Sequence, residues 1–266
     1  EFRRVLFRSI AGADSGNYSV TQPTTTANIT AATLTVTGIT ASDRNYDGTT
    51  TASVNTGSAA FSGVIGSDTV TIVTTGVTGA FSSAGFGTNK TVQISGVSKS
   101  GTDAGNYTIT QPTTTASISK YVLTVTGITA ANKTYDASTS ATLSTGSAAL
   151  VGVQNGETVT LNTGSAAGAF GDKNVGTGKS VQVSGLTVSG ATASNYTLTQ
   201  PTTTANITAK TLTVSGITAG NKTYNASNVA TLSTGSAAFV GVESGDSVTI
   251  GVGSVTGTFA DKNIGT

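Results

Sequence analysis

The stretch NYTITQPTTTASIS, Asn106 to Ser119, decides the reading of this chain because it is not unique. It returns as NYSVTQPTTTANIT from Asn17 and as NYTLTQPTTTANIT from Asn195. Its proline falls at Pro23, Pro112 and Pro201, so the spacing is 112 − 23 = 89 and 201 − 112 = 89. Tyr46, Tyr135 and Tyr224 keep the same interval, with no insertion or deletion between copies. A solenoid coil takes roughly 20 to 50 residues, so this period is too long for one. It suits a small domain, slightly under the roughly 100 residues of an immunoglobulin-like sandwich.

Inside the period, apolar residues alternate with threonine. TLTVTG (Thr33–Gly38) puts Leu34 and Val36 on one face. DTVTI (Asp68–Ile72), KTVQISG (Lys90–Gly96) and NYTIT (Asn106–Thr110) do the same. Period two is the signal of a half-buried strand, and β-branched, polar threonine suits the wet face. Gly57-Ser58, Gly66-Ser67 and Gly156 mark turns between these runs. No window carries apolar residues at helical spacing, so the fold class is all-β. DAGNYTI (Asp103–Ile109) resembles the corner of immunoglobulin-like domains, where a Tyr hydroxyl bonds back to upstream backbone. Tyr107 would hold that place, with Tyr18 and Tyr196 as its counterparts, although Thr192 replaces the Asp in the last copy. TQPTTT reads as a turn or edge segment, because proline cannot donate to a central ladder. ASIS then begins the final strand.

The expectation is therefore a tandem array of small immunoglobulin-like β-sandwiches in an 89-residue repeat. Residues 10–31 read as the end of one copy, 32–120 and 121–209 as complete copies, and 210–266 as the first part of another. The junctions ITAATL (Ile29–Leu34), ISKYVL (Ile118–Leu123) and ITAKTL (Ile207–Leu212) lack Gly and Pro. Such short connections leave less freedom than a Gly/Ser linker. Glu1–Ser9, EFRRVLFRS, matches neither Lys90–Ser98 nor Lys179–Thr187, its counterparts one and two periods on. A secretion signal would need an apolar core of about 7 to 15 residues, which does not follow. A nucleotide string that encodes these nine residues in one reading frame looks like a common sequencing-read adapter, so residues 1–9 read as a non-native segment on a fragment.

Composition removes several function classes. The chain holds 13 Lys+Arg and 12 Asp+Glu, and without Glu1–Ser9 the count is 10 against 11. A net charge near zero offers no basic footprint for nucleic acid. No run approaches the roughly 18 apolar residues of a membrane helix. Absence of Cys excludes disulfides and thiolate metal sites, and absence of His removes the commonest general base. With no paired carboxylates in a recognisable setting, no enzyme is expected, and no catalytic, cofactor or metal residue is assigned.

ITASDRNYDGTTTASV (Ile39–Val54) contains Tyr46-Asp47-Gly48. Its counterparts ITAANKTYDASTSATL and ITAGNKTYNASNVATL carry Ala137 for Gly and Asn225 for Asp. Together with GAFGDKNVGTGKSVQVSG and the GNYTITQPTTTA ending, these motifs resemble the YDG repeat of large secreted bacterial adhesins of the filamentous-haemagglutinin type. The resemblance spans essentially all of residues 10–266. It implies an extracellular or cell-surface location, a repetitive stalk, and a role in adhesion or biofilm.

The candidate residues each have a plain alternative. Asp47 and Asp136 could be calcium or glycan ligands, but Asp and Asn commonly bond turn N–H groups, and Asn225 does that equally well. The junctions hold no carboxylate for calcium. DKN at Asp172–Asn174 and Asp261–Asn263 reads as a charged turn, replaced by Ser83, Ala84 and Gly85 in the first copy. An isopeptide bond at Lys90 lacks an identifiable acid partner. Tyr46, Tyr107 and Tyr135 read as core or corner residues ahead of a sugar-stacking platform. The leading functional expectation is a spacer that projects an adhesive region, with a host or bacterial surface ligand met by other parts of the full protein. The alternatives are weak, multivalent glycan- or protein-binding modules and self-association through edge strands.

Overall fold

The computed structural model describes residues 10–22, 25–154 and 156–265. The reading of Glu1–Ser9 lies outside them. The chain is all-β: three short 3₁₀ turns accompany its strands, and no α-helix occurs among the described residues. It divides into two compact units, Glu1–Tyr121 and Val122–Thr266.

In the first unit the strands are β1 (Ala32–Thr37), β2 (Thr40–Ala41), β3 (Arg44–Asn45), β4 (Thr51–Ala52), β5 (Val54–Asn55) and β6 (Ala60–Ser62). They continue as β7 (Thr71–Val73), β8 (Thr78–Phe81), β9 (Gly87–Ser95), β10 (Ser98–Ser100), β11 (Tyr107–Thr110) and β12 (Thr113–Ser119). One sheet runs β11-β1-β6 and a larger one β3-β12-β9-β8-β4, with two small ribbons, β10-β7 and β2-β5. β1 is parallel to β11 and antiparallel to β6. The strands recur 89 residues on: β1 corresponds to Tyr121–Thr126, β9 to Gly176–Ser184 and β12 to Thr202–Thr208.

The alternation read from the sequence places the core. Leu34 and Val36 of β1 and Val92 and Ile94 of β9 are buried, while their threonine neighbours are exposed. In the second copy Val125 and Val183, from the two main sheets, share a cluster with Leu186. Each such side chain removed from water stabilises by about 1.5–3 kcal/mol. Val214 stands in the same register as Val36 and Val125 yet is 47% exposed. Its strand, Thr213–Ser215, pairs on one side only among the described residues, with Ala238–Val240.

Two strand boundaries differ from expectation. Thr113–Thr115 form the beginning of β12 and pair with β9, rather than making a turn or edge. Pro112 stands just before this strand, where its missing N–H costs nothing and its carbonyl still accepts from Ile94 at 3.1 Å. β7 begins only at Thr71, because Asp68 and Thr69 are committed to the corner. Tyr107 donates to Asp68 Oδ2 at 2.7 Å and accepts from the Ile65 N–H at 2.9 Å. Thr69 N–H donates to Asp103 Oδ2 at 2.8 Å. The hydroxyl thus meets upstream backbone, in a loop 42 residues before it. The arrangement repeats with Gln154, Glu157 and Tyr196. Tyr18 lies just after a 3₁₀ turn as Tyr107 does, but residues 25–31 form no strand and Tyr18 is exposed.

Gly127 ends the strand Tyr121–Thr126 with φ +79, and an added Cβ would sit 2.0 Å from the Ser147 carbonyl oxygen. Its counterparts Gly38 and Gly216 meet Ser58 and Ser236 the same way. The left-handed backbone alone costs a non-glycine residue about 1–2 kcal/mol. Gly127→Ala is therefore expected to lose more than about 2 kcal/mol by denaturant unfolding, since the overlap adds to that strain. Gly146→Ala, whose Cβ would meet nothing within 4 Å, is the near-neutral control.

Candidate inter-repeat site

The tyrosine of the YDG motif is placed by the strand just before it. β3 lies parallel to the end of β12, and the Tyr46 N–H donates to the Ser119 carbonyl at 2.8 Å. In the second copy Lys133–Thr134 pair with Ile207–Thr208, and Tyr135 N–H donates to Thr208 O at 2.9 Å. The motif therefore stands where one copy's last strand ends.

The turn itself is closed by a cation that the motif reading missed. Arg44 lies over the Phe81 ring at 5.2 Å, pairs with Asp47 and donates to the Thr49 carbonyl. Lys133 lies over Phe170 at 5.5 Å, pairs with Asp136 at 2.7 Å and donates to Ser138 O. Lys222 over Phe259 at 5.4 Å completes the series. The signal was available: a cation two residues before each Tyr, and a Phe shared by all three copies. Asp47 Oδ1 accepts from Thr49 N–H at 2.8 Å, Asp136 Oδ1 from Ser138 N–H at 3.0 Å and Asn225 Oδ1 from Ser227 N–H at 3.2 Å. These are turn-capping contacts, and Asn makes them as Asp does. Burial works to raise the Asp47 carboxyl, but the Arg44 guanidinium and the Thr49 N–H outweigh it and leave it below the usual range. Lys133 holds Asp136 low as well. Among the described residues no group of three or more acidic side chains could hold a metal ion.

The Lys90 amine donates to Ser83 Oγ at 2.7 Å, so a hydroxyl stands where an isopeptide bond would need an acyl group. Its counterpart Lys179 pairs with Asp172 at 2.6 Å, with Asp172 more than half exposed. That pair lacks the desolvated setting an acyl transfer would need.

Two features singled out separately in the sequence meet inside the second unit. Tyr135 of the YDG motif donates to Asp246 Oδ2 at 2.5 Å, and Lys173 of the DKN turn pairs with Asp246 Oδ1 at 2.7 Å. Lys173 also lies 5.8 Å from the Tyr135 ring centre. Tyr135 and Lys173 belong to the second copy and Asp246 to the third. Beside them a cleft of ≈ 300 Å³ is lined by Asn174, Val175, Leu212, Val242 and Val248. The Lys210–Glu243 pair borders it. The sequence reading had not assigned Asp246. Its trace is the carboxylate at the same register in every copy, Asp68, Glu157 and Asp246, each preceding a strand run.

The sequence model of one protein family, described as the YDG domain, matches residues 30–116, 119–205 and 208–266. A search of the curated proteins found no match to the chain.

Two predictions come from this geometry. Ala137 and Ala226 occupy the turn position of Gly48, with φ 58 and 61 against 78. Ala137→Gly should gain at most about 1 kcal/mol in denaturant unfolding, since relief of strain is partly offset by a freer unfolded chain. The second concerns pH. Lys173, then Tyr135, hold the Asp246 carboxyl below its ordinary 3.8. Asp246, then Tyr135, hold the Lys173 amine above its ordinary 10.5. The carboxylate's contribution is present above 3.8 and is lost as pH falls through its lower folded value. The amine's contribution is complete below 10.5 and is lost as pH rises through its higher folded value. A carboxyl carbon NMR titration should give Asp246 a midpoint below 3.8, and Lys173→Ala should move that midpoint upward.

Proposed function

The chain belongs to the YDG domain family, and from that membership we propose that its copies are non-enzymatic stalk or spacer repeats of a secreted or surface-exposed bacterial adhesin of the filamentous-haemagglutinin type. They would hold an adhesive region away from the cell for adhesion or biofilm formation. The observation that carries this reading is the Tyr135–Asp246–Lys173 cluster, in which side chains of one copy grip the next. A Gly/Ser linker would let neighbouring copies move freely. A hydrogen-bonded, charge-paired contact restricts them, as a spacer requires.

Two further features support it. The last strand of the first copy ends at Ser119 and the next copy's first strand begins at Tyr121. No described helix is long and apolar enough to cross a membrane. The finer assignment of each copy as an immunoglobulin-like sandwich belongs to the same proposal, supported by the tyrosine corner and by the core shared between the two main sheets.

Small-angle scattering on the chain tests the reading. An elongated particle whose dimensions do not change with salt is expected. A compact globule, or a flexible-chain profile, would overturn it.

A further inference from the structure

We infer that each complete copy is a force-bearing clamp, in which tension along the chain shears two parallel strand pairs rather than peeling them apart. Its biological use rests on the spacer reading; the strand pairing does not.

A spacer under tension is pulled through the two ends of each copy. In the first copy the chain enters at β1, the first strand, and leaves from β12, the last. β1 lies parallel to β11, with Ala32 opposite Tyr107 and Thr35 opposite Thr110. Antiparallel neighbours, pulled at the start of one and the end of the other, are drawn at the same end and open one rung at a time. Parallel neighbours are drawn at opposite ends, so the pull runs along both strands and all the rungs resist together. One backbone hydrogen bond adds little net stability, so sharing among rungs decides the force. Side chains strengthen this pair. The Thr33 and Thr108 hydroxyls lie 3.1 Å apart, and Thr108 Oγ1 donates to the Ala32 carbonyl at 3.3 Å.

The exit end is held in the same way. β3 is parallel to the end of β12, with Arg44 opposite Ile118 and Asn45 opposite Ser119. Asp43 Oδ1 accepts from the Ser117 N–H at 2.6 Å, so three successive residues near the entry grip the last three of β12. Only Gln111 and Pro112 separate β11 from β12. The Gln111 amide donates to the Val97 carbonyl at 2.8 Å and accepts from the Val97 N–H at 3.1 Å, as a neighbouring strand would. The link that passes tension between the two parallel pairs is therefore pinned to the bend between β9 and β10. The second copy repeats these features. Gln200 brackets Leu186 at 2.8 and 3.0 Å, and Asn132 Oδ1 accepts from the Asn206 N–H at 2.8 Å. Lys133–Thr134 run parallel to Ile207–Thr208, and the Thr199 N–H donates to the Leu123 carbonyl at 3.0 Å.

Single-molecule force spectroscopy on the full chain tests this. The chain has no Cys, so cysteine handles report only where they are placed. Ala31→Cys with Ala209→Cys loads both complete copies through their ends. Ala31→Cys with Gly105→Cys pulls β1 and β11 at the same end, and a Cβ at Gly105 meets nothing within 4 Å. Pulling through the ends should need severalfold more force than pulling at the same end. It should give two events, each lengthening the chain by up to about 300 Å, the reach of one 89-residue copy. Both geometries act on one fold, so the difference reports direction alone when the two variants unfold at the same denaturant concentration. Should Gly105→Cys shift that midpoint, Thr102→Cys in the same loop replaces it. Equal forces, or a lower force through the ends, would overturn the inference. Scattering judges the resting shape and force judges its resistance: an elongated particle that ruptures as easily in both directions sinks the clamp alone, and a compact particle with a strong clamp sinks the spacer alone.

Discussion

One kind of contact organises this chain, a tyrosine hydroxyl set against a carboxylate in the loop before a strand. Within a copy, Tyr107 donates to Asp68 and receives the Ile65 N–H, which fixes where the loop stops and β7 starts. Across copies, Tyr135 meets Asp246 with Lys173 alongside. The chain is only 9% charged, so carboxylates are scarce. Those present are placed where several hydrogen bonds converge. A hydroxyl suits the task because it donates to the acid and accepts from backbone at once.

The YDG turn supplies the second half of the design. Its cation folds over a phenylalanine ring and ties the turn's carbonyls, so the loop is held from beneath as well as by the Asp side chain. A cation over an aromatic face contributes about 0.5–1 kcal/mol at exposed sites and more where water is excluded. That support keeps the tyrosine at a defined position beside the end of the last strand. The place of Tyr135 beside Asp246 is therefore a consequence of turn chemistry carried out a few residues away.

Much of the fold was legible because period-two alternation and the 89-residue interval are local and repeated. Leu34, Val36, Val92 and Ile94 were all placed on the buried face by alternation, and they are buried. Proline misled the reading at Pro112, because its rule concerns the missing N–H and a strand can start just after it. The start of β7 misled it too, since Asp68 and Thr69 answer to residues more than thirty positions away. The site was legible only in pieces. Tyr135 and Lys173 lay in noted motifs, but their meeting at Asp246 depends on how the second and third copies pack. A separation of 111 residues leaves no pattern within a single copy.

Differences among the copies show which contacts have a substitute. Asp47 and Asp136 give way to Asn225, yet the turn N–H keeps its acceptor and Lys222 donates to both Ser227 and Val229 carbonyls. Lys173 and Lys262 correspond to Ala84, so the charged reinforcement of the tyrosine face is optional within this chain. Gly38, Gly127 and Gly216 never vary, because any side chain would overlap a carbonyl oxygen. The tyrosines never vary, at either the corner or the motif, because no other residue combines an aromatic body with a hydroxyl at that reach. The carboxylate changes only between Asp and Glu. The chain therefore tolerates change in charges that support a contact and none in the groups that make it, which is the pattern expected when the fold of each copy and its grip on the next depend on the same atoms.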